Sequence, residues 1–275
     1  MSLDRIETGS FGPRARLPAQ PESLRVVSWN IARGSRFDAV SKFLLSANAD
    51  LILLQESDRS CRRTAYRNVA SELAQKLAMH YAFGIAFQEL GQGSPDSPAH
   101  HGQATLSRWP LSEGRILRLS SQSKFWRPHW WIPHLGAFQR RVGGRMALVT
   151  HVAFGTHSLT VYNVHLESRN GDDLRRSQLT EVLSDASQYG SDQVLVAGDF
   201  NFDLTATLQE SLVHHAALQN PFASVKFSTI PSSFGRNRVI DWILIRGDAK
   251  TRSPEVHNSV AASDHYPLSL TLQFS

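Results

Sequence analysis

The stretch LVAGDFNFD closes an apolar run at Gly198 and sets Asp199 and Asn201 one residue apart. In an extended backbone, side chains two apart point to the same side, so this carboxylate and this amide share a face. Other apolar runs stop on comparable residues. LRVVSWN ends on Asn30, LILLQE on Glu56 and TVYNVHL near His165, VID carries Asp241 into a strand, and SDH sets Asp264 and His265 before YPLSLTL. Any one of these has a structural explanation, because Asp and Asn favour turns and a single histidine is usually a hydrogen-bonded core residue. Their joint occurrence points to chemistry, since the strand ends of layered sheets gather in one crevice.

Carboxylates and amides without cysteine make a hard, oxygen-rich site that suits Mg²⁺ or Mn²⁺ better than zinc. Glu56 is the leading ligand candidate, because a carboxylate closing LILLQ is costly to bury without a cation or hydrogen-bond donors. His265 can donate to a non-bridging phosphate oxygen as negative charge builds there. Its neighbour Asp264 points away in an extended chain, so Asp241, from another strand, is the better orienting partner. Asp199 then accepts the proton of an attacking water, with Asn201 positioning that water or the phosphate. Asp199 and His265 both stay open as general base, because coupled groups beside a metal can exchange that role. The chemistry is metal-assisted phosphoester hydrolysis, with Mg²⁺ as cofactor and Mn²⁺ able to substitute.

These residues need strands that end together and helices that cover them. LRVVSWN, the amphipathic GSRFDAVSKFLLSA and LILLQE read as strand, helix, strand, with Ser35 and Asp38 as a capping pair. A helix is predicted over 64–79 and another over 172–187, with Leu174, Leu179, Val182 and Leu183 inward. YAFGIAF, QATLSRW, GRILRLS, GRMALVTHVAF and SLTVYNVHL read as strands, the last two joined in a hairpin; QVLVAG, VIDWILIRG and YPLSLTLQF follow. Strands outnumber helices and the connections are mixed. Two packed sheets with helices on their outer faces is the economical α/β (α+β) arrangement.

The 275 residues, 41% hydrophobic and 19% charged, suffice for one large domain. Residues 1–23 read as a mobile leader and 24–275 as the catalytic domain. The single cysteine, Cys61, rules out an intramolecular disulfide. With no apolar segment of signal-peptide or membrane-spanning type, a soluble, cytoplasmic protein is expected, with a monomer as default. The formal charge of +5 leans toward an anionic partner.

In this order, SWN, LQE, HLES, GDFN, ID and SDH, spread from Arg25 to Leu272, resemble the endonuclease/exonuclease/phosphatase superfamily. That superfamily includes deoxyribonuclease I, abasic endonucleases, tyrosyl-DNA phosphodiesterases of the second type, neutral sphingomyelinases and inositol polyphosphate 5-phosphatases. The resemblance implies a four-layered, deoxyribonuclease I-like sandwich and a divalent-metal phosphoesterase. Carried over by position, it implies that Asn30 and Glu56 are metal-side residues and Asp264 a further metal or supporting carboxylate. Asp199 and Asn201 become the water and phosphate residues, and Asp241 with His265 the carboxylate–histidine pair. His165 falls where deoxyribonuclease I-like members have a second histidine.

The substrate is less constrained. HLESRNGDDLRRSQL is close to the pattern of tyrosyl-DNA phosphodiesterases, and its Arg175 or Arg176 is a candidate phosphate contact, with Arg176 the choice; Gln103 stands where the family usually has asparagine. The insert SKFWRPHWWIPHLGAFQRR, Ser123 to Arg141, holds three of the six tryptophans. Trp130 and Trp131 could stack on unpaired bases while Arg141 meets phosphate, although the same composition suits a membrane interface. The expectation is a phosphodiester substrate, nucleic acid first. A membrane phospholipid or an inositol polyphosphate is the alternative, and a non-catalytic binding module ranks below both.

Overall fold

The structure is a computed structural model that describes residues 3–12, 21–123, 133, 137–189, 193–224, 228–234 and 238–274. In chain order its strands begin with β1 (Ile6–Ser10), β2 (Ser23–Arg33), β3 (Leu51–Arg59), β4 (His80–Glu89), β5 (His100–Ser107), β6 (Leu111–Arg118) and β7 (Arg141–Gly143). They continue with β8 (Met146–Phe154), β9 (His157–His165), β10 (Gln193–Asp199), β11 (Asp241–Arg246), β12 (Lys250–Val256) and β13 (Leu268–Gln273). The helices are α1 (Phe37–Ala47), α2 (Val69–Leu77), α3 (Asp172–Ser187) and α4 (Thr207–His215).

Among the described residues the strands form two mixed sheets. The larger runs β1-β4-β5-β3-β2-β13-β12, with β7 also on β4, and the smaller runs β11-β10-β9-β8-β6. Each contains one parallel pair made by a strand–helix–strand crossover: β2 with β3 through α1, and β9 with β10 through α3.

Alternation along β2 and β3 explains why their sequences are apolar throughout. Leu24, Val26, Leu51 and Leu53 pack between the sheets, while Val27, Trp29, Ile52 and Leu54 face α1 and α2. On the far side, Leu179, Val182 and Leu183 of α3 and Val213 of α4 cover the smaller sheet. Each such side chain, sealed from water, contributes roughly 1.5–3 kcal/mol. The result is the four-layered α+β sandwich expected from the sequence.

Several local expectations are corrected. Ile6–Ser10, within the expected leader, pairs antiparallel with β4, because its backbone completes the sheet edge even though its side chains are mostly half-exposed. Ser35 and Asp38 do not cap α1, whose N-cap is Arg36 without a side-chain hydrogen bond. The helix expected from residue 64 starts at Val69, since Ala65 and Tyr66 are left-handed and Asn68 caps it by accepting from the Ser71 N–H. β1, β7, β12 and α4 were not foreseen.

Candidate active site

Register alone brings three of the expected residues together. Asp199, the last residue of β10, lies opposite His165 on one neighbouring strand and opposite Asp241 on the other. Two carboxylates directly opposite repel each other. His265 stands between them: its Nδ1 is 2.9 and 3.1 Å from the two Asp241 oxygens, and its Nε2 lies 3.7 Å from Asp199 Oδ2. One ligand atom from each of Asp199, Asp241 and His265 can be chosen so that all lie within 4.8 Å of one another.

Asn30, at the corresponding parallel-strand end of the larger sheet, donates from Nδ2 to Asp199 Oδ2 at 3.1 Å, and His165 Nε2 lies 3.4 Å from that oxygen. The Asn201 N–H donates to Asp199 Oδ1 at 2.9 Å. Asn201 itself is left-handed, φ 59°. Asn201 Nδ2 in turn donates to the Leu166 carbonyl at 3.1 Å. The shared extended face expected for Asp199 and Asn201 is therefore an Asx turn, and both polar groups still meet at the same strand end. Gly198 remains in the ladder, and a Cβ there would lie 1.9 Å from the Val164 oxygen. Its role is close approach of two backbones. Asp203 caps no helix; it accepts from the Thr205 N–H at 2.8 Å, and α4 begins beyond it.

The histidine loop is tied to β2. The Ser263 hydroxyl donates to the Asn30 carbonyl at 2.7 Å, and the Trp29 indole N–H donates to the His265 carbonyl at 2.9 Å. Asp264 is half-exposed at the rim, where it accepts from the Ser263 hydroxyl at 3.1 Å. Glu56 sits in a β-bulge between Leu54 and Ser57 with φ 55°. Among the described residues no group hydrogen-bonds its carboxylate. It is surrounded instead by positive groups: burial works to raise its pKa, and His101, Arg33, Arg145 and His265 more than offset this, holding it below the ordinary value.

Burial raises Asp199 to about 7, with Asp241 adding to the rise and His265, Asn30 and the Asn201 N–H opposing it. Burial alone would lower His265, yet the Asp241 and Asp199 charges push it to about 10. His165 is held well below its usual value, first by burial and then by the nearby Arg145. At neutral pH the site thus contains a charged imidazole, a neutral one and a carboxylate poised to gain or lose a proton.

Arg145 and His101 were missed from the sequence. Arg145, buried just ahead of β8, donates to the Ser168 hydroxyl at 3.1 Å and lies close enough to Glu167, Glu56 and Asp199 to interact with their charges. His101, the second residue of β5, lies beside Asp58. Both lie at the beginnings of strands that run antiparallel to β9 and β3, so they reach the same edge as the ends of those strands. The signal was a charged residue at the start of an apolar run.

The other residues singled out in the sequence have protein partners of their own. Arg141 is half-buried, 2.6 Å from Glu89 and above the Phe87 ring, because the β4–β7 register sets Arg141 opposite Glu89. Arg176 pairs with Asp173 on the outer surface of α3, and Arg175 binds the Glu167 carbonyl at 2.7 Å. Gln103 donates to the Met146 carbonyl at 2.9 Å. Trp130 and Trp131 lie outside the described residues.

Two mixed sheets with flanking helices, their strand ends converging on one carboxylate- and histidine-lined cleft, define the deoxyribonuclease I-like class of fold. The sequence matches the model of the Endonuclease/Exonuclease/phosphatase family over residues 27–265, and the chain belongs to that family, whose members are hydrolases of phosphoester bonds. The fold is similar to that of an endonuclease/exonuclease/phosphatase from Beutenbergia cavernae, with a TM-score of 0.69 and 19% identity over 93% of this chain and 72% of that one. It is also similar to TDP2 from Caenorhabditis elegans, with a TM-score of 0.62 and 17% identity over 92% and 74% of the two chains. A third similar structure is the human Nocturnin catalytic domain with bound sulfate, with a TM-score of 0.64 and 16% identity over 99% and 98%. No curated protein matches the sequence. Among the described residues no helix is long and apolar enough to cross a membrane.

Proposed function

We propose that the chain is a Mg²⁺-dependent phosphodiesterase acting on DNA, as a nuclease or an end-processing phosphodiesterase. The observation that carries this reading is the convergence of Asn30, His165, Asn201, Asp241 and His265 around the buried Asp199 carboxylate.

The donor set fits a hard divalent cation. Glu56 is a cleft carboxylate without a protein hydrogen-bond partner among the described residues, and Asp199 without added positive charge is raised to about 7. Glu56, Asn30 and Asp264 would hold the ion, with the compact Asp199–Asp241–His265 group as the neighbouring donor cluster. Held there, Mg²⁺ would supply charge stabilisation at the phosphoryl oxygens and would favour ionisation of water. Mn²⁺ offers the same oxygen-ligand chemistry.

The protein's own groups then divide the work. His265, oriented through Nδ1 by Asp241, presents an Nε2–H to a phosphate oxygen and strengthens that bond as charge develops. Asp199, buried at the centre of the cluster, takes the proton of the attacking water. Asn201 and neutral His165 fix Asp199 and the water beside it.

The basic net charge and the likeness of HLESRNGDDLRRSQL to tyrosyl-DNA phosphodiesterases favour DNA. A panel of plasmid, abasic duplex, 5′-phosphotyrosyl oligonucleotide, sphingomyelin and inositol polyphosphates tests the assignment. Cleavage of a DNA substrate, with binding that weakens steeply with salt, is expected. Cleavage of lipid or inositol phosphate alone would overturn DNA as the substrate. Hydrolysis that survives chelation, or survives both Glu56→Gln and Asp199→Asn, would overturn the metal mechanism.

A further inference from the structure

We propose that Asp58, Arg63 and His101 are positioning residues that hold Glu56 in its cleft-facing conformation by pinning the downstream end of its β-bulge. This rests on Glu56 being a metal ligand, as proposed above.

Glu56 is a non-glycine residue in the left-handed region, φ 55°, a conformation that persists only where the surroundings over-determine it. Its own side chain does not fix it, since no described group hydrogen-bonds the carboxylate. The positive groups around it attract the carboxylate without a directed bond, and the backbone on either side is firmly tied.

Upstream, Gln55 is clamped across the two sheets: its Nε2 donates to Asn163 Oδ1 at 2.8 Å, and Asn163 Nδ2 donates to the Leu54 and Ala104 carbonyls at 3.1 and 2.9 Å. Downstream, Asp58 is wholly buried and accepts from Arg63 Nε at 2.7 Å, from Arg63 Nη2 at 2.8 Å and from His101 Nδ1 at 2.9 Å. His101 faces Asp58 in the β3–β5 register, so this contact fixes the strand where regular pairing resumes.

Arg63 is itself immobilised. It lies in the turn that follows β3, its N–H donates to Gln92 Oε1 at 3.1 Å, and its guanidinium also reaches Glu89 at 3.3 Å. Glu89 is held in turn by Arg141 at 2.6 Å. Charges alternate along Arg141, Glu89, Arg63 and Asp58 in a largely buried row. Such a row is weak evidence for stability, because desolvation opposes the attraction. It suits a part that must hold one geometry. Supporting groups of this kind characteristically tune a metal ligand rather than replace it.

The test uses Arg63→Gln, at a side chain one quarter exposed, together with Asp58→Asn and Arg63→Lys, each with folding verified by its melting transition. On chelator-stripped protein, Mn²⁺ affinity is measured by calorimetry and by the metal-induced rise in melting temperature. The metal dependence of bis-p-nitrophenyl phosphate hydrolysis is measured alongside. Arg63→Gln and Asp58→Asn are expected to weaken Mn²⁺ binding about 10- to 100-fold, with turnover restored at saturating metal. Arg63→Lys, which keeps the charge but loses the fork, falls between. A lower melting temperature with unchanged Mn²⁺ affinity, or a loss of turnover that excess metal does not restore, overturns the inference. If the parent protein binds no Mn²⁺, the Glu56 reading itself fails; if parent and variants bind it equally, only the positioning role fails.

Discussion

Replacing Asp241 by asparagine separates the orienting carboxylate from the histidine it serves. Asp241 lies within hydrogen-bond distance of His265 through both oxygens, at 2.9 and 3.1 Å, and both residues are buried. The raised pKa of His265, from 6.5 to about 10, corresponds to a preference for the charged form of the order of 5 kcal/mol. Because burial works against it, Asp241 and Asp199 together supply more than that net figure. Asparagine keeps the shape but removes one full charge, and an opposite charge at this range is worth about 1–3 pKa units. His265 is therefore expected to titrate about 1–3 units lower in Asp241→Asn. Losing the oriented, charge-assisted donor costs about 1.5–3 kcal/mol at the transition state, about 10- to 160-fold in kcat with little change in KM. Imidazole-selected NMR of chelator-stripped protein between pH 5 and 11 reads the titration, and bis-p-nitrophenyl phosphate kinetics in Mg²⁺ read the rate. Stability carries the same signature. The His265 contribution is complete below pH 6.5 and is lost as pH rises through about 10, and this alkaline loss shrinks in the variant. A parent His265 titrating near 6.5, or a variant with unchanged titration and kcat, would refute the reasoning.

Three further outcomes follow from buried features of the fold. His100 is sealed, its Nδ1 has no partner among the described residues, and burial lowers it to about 4 from 6.5. Its contribution is present above pH 6.5 and is lost as pH falls through about 4, up to roughly 3 kcal/mol, so His100→Leu should flatten the acid limb of a pH series of urea titrations; parallel curves would contradict this. Gly198→Ala would drive a Cβ to 1.9 Å from the Val164 oxygen, and denaturant unfolding should show a loss of roughly 3 kcal/mol or more. Asn163→Ala removes the shortest of the Gln55 amide's hydrogen bonds and the side-chain donor to the Leu54 and Ala104 carbonyls, and calorimetry should report roughly 1–3 kcal/mol lost, with coupling to Gln55→Ala above about 0.5 kcal/mol in a double-mutant cycle. Additive effects would place the cross-sheet clamp elsewhere.

The layers and much of the cleft were legible because buried strands are apolar on both faces and stop abruptly where a polar residue emerges. LRVVSWN and LILLQE announce themselves in this way, and α3 was readable over its whole length from its inward leucines. Edge elements lack that signal. IETGS is mostly half-exposed and KTRSPEV largely exposed, the second interrupted by Pro254 within an irregular pairing to β13, and the short α4 buries only Gln209 and Val213. At the site, attention to strand ends found Asn30, Glu56, His165 and Asp199, which close parallel pairs. It passed over Arg145 and His101, because a mixed sheet also brings strand beginnings to the same edge. Glu56 shows a second limit: simple alternation would turn it toward the helices with Ile52 and Leu54, and only the bulge brings it into the cleft.

The most direct test of the central claim is the Mg²⁺-dependent rate of phosphodiester hydrolysis by the parent protein and by Asp199→Asn, measured at saturating metal with folding verified for both. If the cluster around Asp199 is the hydrolytic site, the parent turns over only when the divalent ion is supplied, and Asp199→Asn loses about 100- to 10,000-fold in kcat. Equal rates for the two proteins, or a parent rate indifferent to chelation, would contradict it.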